Sequence, residues 1–324
     1  MRIKPILITA TICLTGVPLA FAQSVPPLPR ALPVPSPQSA VRISVNLVMV
    51  DATVKSKDGK IMADLKKDDF ELREDGVVQK LEVFSRDELP LNVAIVLDLS
   101  DSMGPFLLPL REATTSALLA LKPEDQVALL TFSTNAQLRV LLTDDKTMIA
   151  RQISTSPAGG STNINDGIFV AAKYLLDAHP NGRRVIILIS DDVGTNRGAH
   201  STPEITAESL DADAALYNLK VPGDDPPQVL RASRAMAGLV YIPSVIDQTG
   251  GESFDVKDVA HLDEAFRTLI ERIKTRYTLG YYTKISGAGR KPQELHKLDV
   301  RLARSFGKKG HDYVVVAKNG FYVH

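Results

Sequence analysis

The stretch Leu91-Asn-Val-Ala-Ile-Val-Leu-Asp98-Leu-Ser-Asp-Ser-Met-Gly104 decides the fold. Residues Val93 to Leu97 are apolar without alternation, the pattern of a strand buried on both faces. The run stops on a carboxylate, Asp98, and the loop that follows carries two hydroxyls, Ser100 and Ser102. A helical pattern then runs from about Met103 to Leu121, with Leu107, Leu110, Ala113, Thr114, Ala117, Leu118 and Leu121 on one face. A buried strand, a polar loop and an amphipathic helix make the first half of a strand-helix-strand unit. Open parallel sheets built from such units place their ligands at the carboxyl ends of the strands.

The same grammar extends along the chain. Val127–Phe132 and Val185–Ile189 are further short buried runs, and Ile164–Ala178 reads as a second helix that stops before His179-Pro-Asn-Gly182. Ala214–Val221 fits another strand, followed by a proline-rich break at Pro222 to Pro227. Thr249-Gly-Gly251 reads as a helix stop and Glu252–Val256 as a strand. His261–Thr275 is a final amphipathic helix with Leu262, Phe266, Leu269, Ile270 and Ile273 on its apolar side. Residues 90–275 therefore predict an α/β domain: a doubly wound, mainly parallel sheet with helices on both faces.

On either side the period changes to two. In residues 41–89, Ile43, Val45, Leu47 and Met49 alternate with polar partners, Lys57-Asp-Gly-Lys60 and Asp75-Gly76 are turn signals, and Phe70–Arg73 and Leu81–Phe84 are strands. In residues 276–324, Tyr277–Tyr282, Leu298–Leu302 and Tyr313–Ala317 repeat the pattern. Each flank alone leaves unpaired edges and an uncovered apolar face, so the two are expected to pair into one smaller β-rich domain.

The first 22 residues carry Arg2 and Lys4, then an apolar stretch from Ile6 to Phe21 ending in Ala20-Phe-Ala22, the pattern of a cleaved export signal. Pro5, Gly16 and Pro18 interrupt a stretch shorter than the ~20 residues of a membrane helix. Residues 23–40 hold prolines 26, 27, 29, 33, 35 and 37, which favours an extended tether; a ragged terminus is the alternative. The sole cysteine, Cys13, lies inside the leader, so the exported chain has neither a disulfide nor a thiolate metal site. The chain holds 38 basic and 38 acidic residues, and losing Arg2 and Lys4 leaves a formal charge of −2. That balance points to no nucleic-acid partner and no polybasic membrane surface. Hydrophobic residues at 44% and charged residues at 23% match a soluble chain with a sizeable core. The exported protein is expected in the periplasm or at the cell surface.

Chemistry concentrates in three loops. Asp98, Ser100 and Ser102 follow one strand; Gly159-Gly-Ser-Thr-Asn163 precedes a helix; and Val185-Ile-Ile-Leu-Ile-Ser-Asp191 ends another strand on a carboxylate. An Asp-x-Ser-x-Ser loop alone is common and often only caps a helix. The ordered set resembles the von Willebrand factor type A family, whose metal-ion-dependent adhesion site combines Asp-x-Ser-x-Ser, a threonine after a glycine-rich turn and an aspartate closing a later strand. The matching positions are Asp98, Ser100, Ser102, Thr162 and Asp191. The resemblance implies that Ser100 and Ser102 ligate a cation directly, that Thr162 does so in a state-dependent way, and that Asp98 and Asp191 orient water and balance charge.

A hard cation such as Mg²⁺, with Mn²⁺ or Ca²⁺ as alternatives, prefers such oxygens and keeps positions for other ligands. A carboxylate of a partner protein can fill one of them. The resemblance thus implies a metal-dependent protein-binding or adhesion module without catalysis. Gly160, Ser161, Asp101 and Asp192 are possible modulators of the site; Asp101 and Asp192 add negative charge, and both are expected to face solvent. The stretches Val54-Lys-Ser-Lys-Asp-Gly59, Asp68-Asp69-Phe70, Glu74-Asp75-Gly76 and Tyr277-Thr-Leu-Gly-Tyr281 also resemble a subfamily of exported proteins of this kind described mainly from acidobacteria, over about residues 41–324.

Enzyme readings fare worse. A metal-dependent hydrolase of phosphate-like substrates is the alternative, but a haloacid-dehalogenase-type site needs a second aspartate where Ser100 stands. No phosphate-binding Gly-x-x-x-x-Gly-Lys loop occurs, and a Gly-x-Ser-x-Gly elbow around Ser102 fails at Ser100. Histidines 179, 200, 261, 296, 311 and 324 are dispersed, with no pair spaced for zinc or a triad. Tyr277, Tyr281 and Tyr282 fit either a ligand platform or strand packing.

Overall fold

The computed structural model describes residues 46–86, 89–223, 238–284, 294–303 and 312–322. The leader, the proline-rich stretch, the start of the N-terminal flank with Ile43 and Val45, and most of the break before Pro227 lie outside the described residues.

The apolar stretch from Leu91 forms strand β5 (Leu91–Asp98), and every residue of it is buried. Its neighbours are β6 (Gln126–Phe132) and β8 (Arg183–Ser190), both parallel to it. Beyond β8 come β9 (Ala214–Lys220) and β10 (Ser253–Asp255), also parallel. Beyond β6, β7 (Ala136–Thr143) closes the edge antiparallel, giving the order β10-β9-β8-β5-β6-β7. Strand alternation divides β5 between two cores. Val93, Ile95 and Leu97 face α1 (Gly104–Leu118), α2 (Lys146–Thr155) and α6 (Leu262–Lys274), while Ala94 and Val96 face α3 (Ile164–Ala178), α4 (Thr202–Asp211) and α5 (Ile242–Thr249). This is the doubly wound, mainly parallel sheet expected. The first helix stops at Leu118, short of the predicted Leu121, although Leu121 is still buried. None of the described helices is long and apolar enough to cross a membrane.

The flanks form two antiparallel sheets. One has the order β13-β1-β11-β4, from Tyr313–Ala317, Asn46–Ser56, Tyr277–Thr283 and Val83–Arg86. The other has β14-β12-β2-β3, from Gly320–Tyr322, Leu295–Leu302, Phe70–Glu74 and Val77–Gln79. Strand β1 lies between two strands from the far end of the chain, running from Asn46↔Thr283 to Ala52↔Tyr277 on one side and from Ala52↔Ala317 to Ser56↔Tyr313 on the other. Likewise β2 pairs with β12. Val50, Ala52, Leu72, Leu279 and Tyr281 fill the core between the sheets, and Tyr277 packs against Phe70 with ring centroids 5.0 Å apart. Tyr277 and Tyr281 are thus packing residues, and only Tyr282 reaches solvent.

The chain passes from α6 into β11 through Arg276, which is 2% exposed. Its guanidinium donates to the Tyr217 hydroxyl on β9 (2.8 Å), to the Gly250 carbonyl after α5 (2.9 Å) and to the Asp51 carbonyl on β1 (3.1 Å). One buried cation therefore joins the α/β sheet to the β-rich flanks, helped by the Lys55–Glu252 ion pair at 2.6 Å. Replacing it by an apolar side chain of similar length removes the donor from three carbonyls, that of Val316 at 3.5 Å included, and from a phenol, and bonds to a charged group contribute ~1.5–3 kcal/mol each. Arg276→Met is expected to cost about 3–5 kcal/mol, read as a lowered midpoint in urea unfolding. An unchanged midpoint would mean that those acceptors find other donors.

Candidate metal centre

Asp98 ends β5 with no exposed surface. One carboxylate oxygen accepts the Ser100 amide (2.8 Å) and the other accepts the hydroxyl of Ser190 (2.7 Å), the last residue of the neighbouring strand β8. Burial pushes the Asp98 carboxyl above its ordinary range, and the nearby negative charge of Asp191 pushes it the same way. After Asp98 the backbone turns sharply: Ser100 is extended, Asp101–Met103 make a short 3-10 turn and α1 begins at Gly104. The turn brings the hydroxyl oxygens of Ser100 and Ser102 to 3.2 Å from each other. Buried Met103 anchors it from below, while Ser102 and Asp101 face solvent.

The second loop is tied to the first by its backbone. The Gly159 amide donates to the Leu99 carbonyl (2.7 Å), and the Asp101 amide reaches the Gly160 carbonyl (3.5 Å). Gly160 has φ +96°, and a Cβ there would lie 2.9 Å from the Thr134 hydroxyl, so both conformation and space call for glycine. Ser161 turns its hydroxyl toward Thr134, at 3.2 Å. Thr162 and Asn163 are buried, and Asn163 caps α3 by accepting the Asp166 amide.

The third loop closes on the second. The Thr162 amide donates to the Thr195 hydroxyl (2.9 Å), and the Thr195 and Asn196 amides both donate to the Thr162 carbonyl (3.0 Å). Asp191, 2% exposed, accepts the Val193 amide (2.9 Å). Gly223 packs so closely that a Cβ there would sit 2.7 Å from the Asp191 Cβ. Asp98, Ser100 and Ser102 therefore share one loop beside Asp191, and Thr162 sits in the loop hydrogen-bonded to both others.

Asp192 departs from expectation. It is half-buried and accepts the Asn218 side-chain amide (2.8 Å), so it faces β9 and not solvent. Its φ of +61° turns the chain back after Asp191 and aims the side chain inward. Burial raises its carboxyl to about 7. The sequence reading also passed over Ser190, Thr195, Thr134, Asn218 and Gly223. Ser190 carried a readable signal, since a hydroxyl closing an otherwise apolar buried strand needs a polar partner. Thr195 and Thr134 act through loop geometry that no local pattern announces.

Two buried carboxylates beside neutral hydroxyls form a hard-oxygen donor set, suited to a divalent cation such as Mg²⁺, Mn²⁺ or Ca²⁺. The charge of Asp191 adds to the cost of ionising buried Asp98, and a cation between the loops would relieve it. Among the described residues no group of three or more His, Cys, Asp or Glu side chains offers a different metal cluster.

A family model described as the von Willebrand factor type A domain matches residues 93–194. Among solved structures, the chain is similar to a von Willebrand factor type A protein from Catenulispora acidiphila, with 13% identity, 81% of this chain and 75% of that one covered, and a TM-score of 0.47. It is similar to an aerotolerance-related membrane protein from Bacteroides fragilis, with 16% identity, 56% and 99% covered, and a TM-score of 0.41. It is also similar to proximal thread matrix protein 1 from the mussel byssus, solved with a zinc-occupied MIDAS motif, with 16% identity, a TM-score of 0.46, and 62% of this chain against 49% of that one covered. The chain thus spans about half of the mussel protein. No curated protein matches the chain. The matched residues 93–194 contain the central strand and all three oxygen-bearing loops, including Asp98, Ser100, Ser102, Thr162 and Asp191. With the mainly parallel six-stranded sheet that presents those loops, they place in this chain a von Willebrand factor type A domain.

Proposed function

We propose that the chain is an exported, non-enzymatic binding protein that engages an acidic group of a partner protein through a divalent cation, Mg²⁺ in the first instance. The observation that carries this reading is the lacing of three loops by backbone hydrogen bonds around two buried carboxylates, Asp98 and Asp191. Ser100 and Ser102 would hold the ion through their hydroxyls, with Thr162 as a further ligand and Asp98 and Asp191 balancing its charge. With neutral hydroxyls supplying part of the donor set, the ion keeps attraction for an incoming carboxylate. Ser102 stands on the solvent side, where a partner can reach it.

Binding without turnover fits the neighbours of the hydroxyls. Ser100 and Ser102 oxygens contact each other, and both Asp98 oxygens are already engaged by Ser100 and Ser190, so neither serine has a free base beside it. Export rests on the leader pattern of the first 22 residues and agrees with an exported chain free of cysteine.

Mg²⁺ at a hundredfold excess over its dissociation constant stabilises the folded chain by about 2.7 kcal/mol. A rise in melting temperature of roughly 5–10 °C is therefore expected for the intact protein and none for Asp98→Ala. Equal melting shifts in the two would remove Asp98 from the site. Ser190→Ala, which frees one Asp98 oxygen, is expected to weaken Mg²⁺ binding by roughly tenfold in a calorimetric titration. Partner binding is read by capture from an envelope fraction: proteins retained in Mg²⁺, released by EDTA and not retained by Asp98→Ala are expected. Identical capture under all conditions overturns the metal-dependent reading, and phosphatase turnover that needs the metal would replace binding by hydrolysis.

A further inference from the structure

Next to the metal loops a cleft of about 250 Å³ runs along the edge of the six-stranded sheet. Leu99, the residue between Asp98 and Ser100, forms part of it, as do Pro157 and Gly159 of the second loop. Its other side is the end of β6 and the edge strand β7, with Gln137 and Arg139. The cleft is therefore continuous with the two loops that carry Ser100, Ser102 and Thr162.

The pairing of β7 explains how an arginine comes to stand there. Leu130 pairs with Leu138, but Leu129 pairs with Val140, so β7 advances two residues where β6 advances one. Arg139 is the extra residue of a β-bulge. In a regular ladder residue 139 would sit opposite Leu129, which belongs to the core on the α1 side. The bulge gives that place to Val140, which does pack against that core, and releases Arg139 from it. The freed side chain is exposed and lines the cleft, with its Nε donating to the buried Thr131 hydroxyl at 3.2 Å. That bond fixes the stem of the guanidinium and leaves its two terminal nitrogens without a protein partner among the described residues. Arginine held in this way presents a planar fork matched to a carboxylate.

We propose that this cleft is a second anchor for the same partner segment, an extended acidic peptide that places one carboxylate on the metal and a neighbouring carboxylate on Arg139. The proposal rests on the metal-dependent reading above and adds to it the chemistry of the partner: two acids on one segment. Two features identify the occupant. The cleft opens directly onto the metal loops, and the one cation lining it is a guanidinium with no counter-ion of its own among the described residues. Apolar Leu99 and Phe132, both buried, also line the cleft.

The test uses the full chain and fluorescent Gly/Ser peptides carrying either one Asp or two Asp at graded separations, with binding read by anisotropy in saturating Mg²⁺ and in EDTA. At one of the separations the two-acid peptide is expected to bind about tenfold more tightly than the one-acid peptide. Arg139→Gln is expected to erase that advantage and to leave one-acid binding and the Mg²⁺ melting shift unchanged. Arg139→Lys, which keeps the charge without the fork, is expected to retain only part of it. A two-acid advantage that survives Arg139→Gln, or its absence at every separation in the intact protein, overturns the second anchor. Binding that ignores EDTA yet falls in Arg139→Gln keeps the anchor and removes the metal reading. Failure of every peptide to bind in Mg²⁺ overturns both.

Discussion

A carboxylate without exposed surface stands at the carboxyl end of the central strand, and the surrounding loops are built to accommodate it. An ionised group in that position is costly unless hydrogen bonds and opposite charge meet it. Asp98 receives the Ser100 amide from its own loop and the Ser190 hydroxyl from the next strand. Nothing among these partners is positively charged, and Asp191 adds a second negative charge close by. The hydrogen bonds orient Asp98 without neutralising it. The three loops are then bound to each other mainly through backbone groups, which leaves the side-chain oxygens of Ser100 and Ser102 available for another ligand. Two buried acids beside two serine hydroxyls make a donor set of hard oxygens, and that is the feature on which the proposed cation binding rests.

The β-rich flanks depend on the same sheet from its other end. Both strands that flank β1 in its sheet are contributed after residue 276, and its own half of the chain adds only a bridge from Lys55 to Ile61. The flanking sheets are therefore held together by pairing between segments on either side of the α/β domain. Arg276 stands at the point of return, and its bonds reach β9, the turn after α5 and β1 at once. A guanidinium suits this place because one planar group can serve acceptors in different directions.

Much of the fold was legible because buried parallel strands leave continuous apolar runs: Val93–Leu97, Val127–Phe132 and Val185–Ile189 all fall within strands of the central sheet. Helix Ile164–Ala178 was readable from its period and from the stop at His179-Pro-Asn-Gly182, to which the structure adds the Asn163 cap and the left-handed His179. Other elements were not read. Helix α4 had a usable start signal in Ser201 and Glu204, where the serine amide donates to the glutamate, but no long apolar face to draw attention to it. Strand β7 was hidden by its bulges, since extra residues break the alternation that marks a strand. At the site, all five ligand candidates were visible as residue types in loops. The partners that orient them, Ser190 and Thr195, come from contacts between loops far apart in sequence, and sequence spacing does not encode those.

Asp192, which was expected in solvent, and Arg139, on a strand that was not anticipated, share a physical feature. Each departs from the regular backbone, one by a left-handed φ and the other as the extra residue of a bulge. Periodicity assigns a side chain to a face by counting, and both features shift the count. At Asp192 the shift turns an acid expected in solvent toward Asn218 on β9. At Arg139 it moves a cation out of a core position and into the cleft beside the metal loops. Irregularity of this kind costs ladder hydrogen bonds or backbone strain, so it persists where surrounding contacts hold it in place. Here Asn218 holds one side chain and Thr131 the other, so that the Asp192 carboxyl is drawn away from solvent while a positive charge is set in the cleft that Leu99 and Gly159 also line. Under the proposed binding of a partner's acid, both displacements act in its favour: the first reduces repulsion at the rim, and the second supplies attraction along the path.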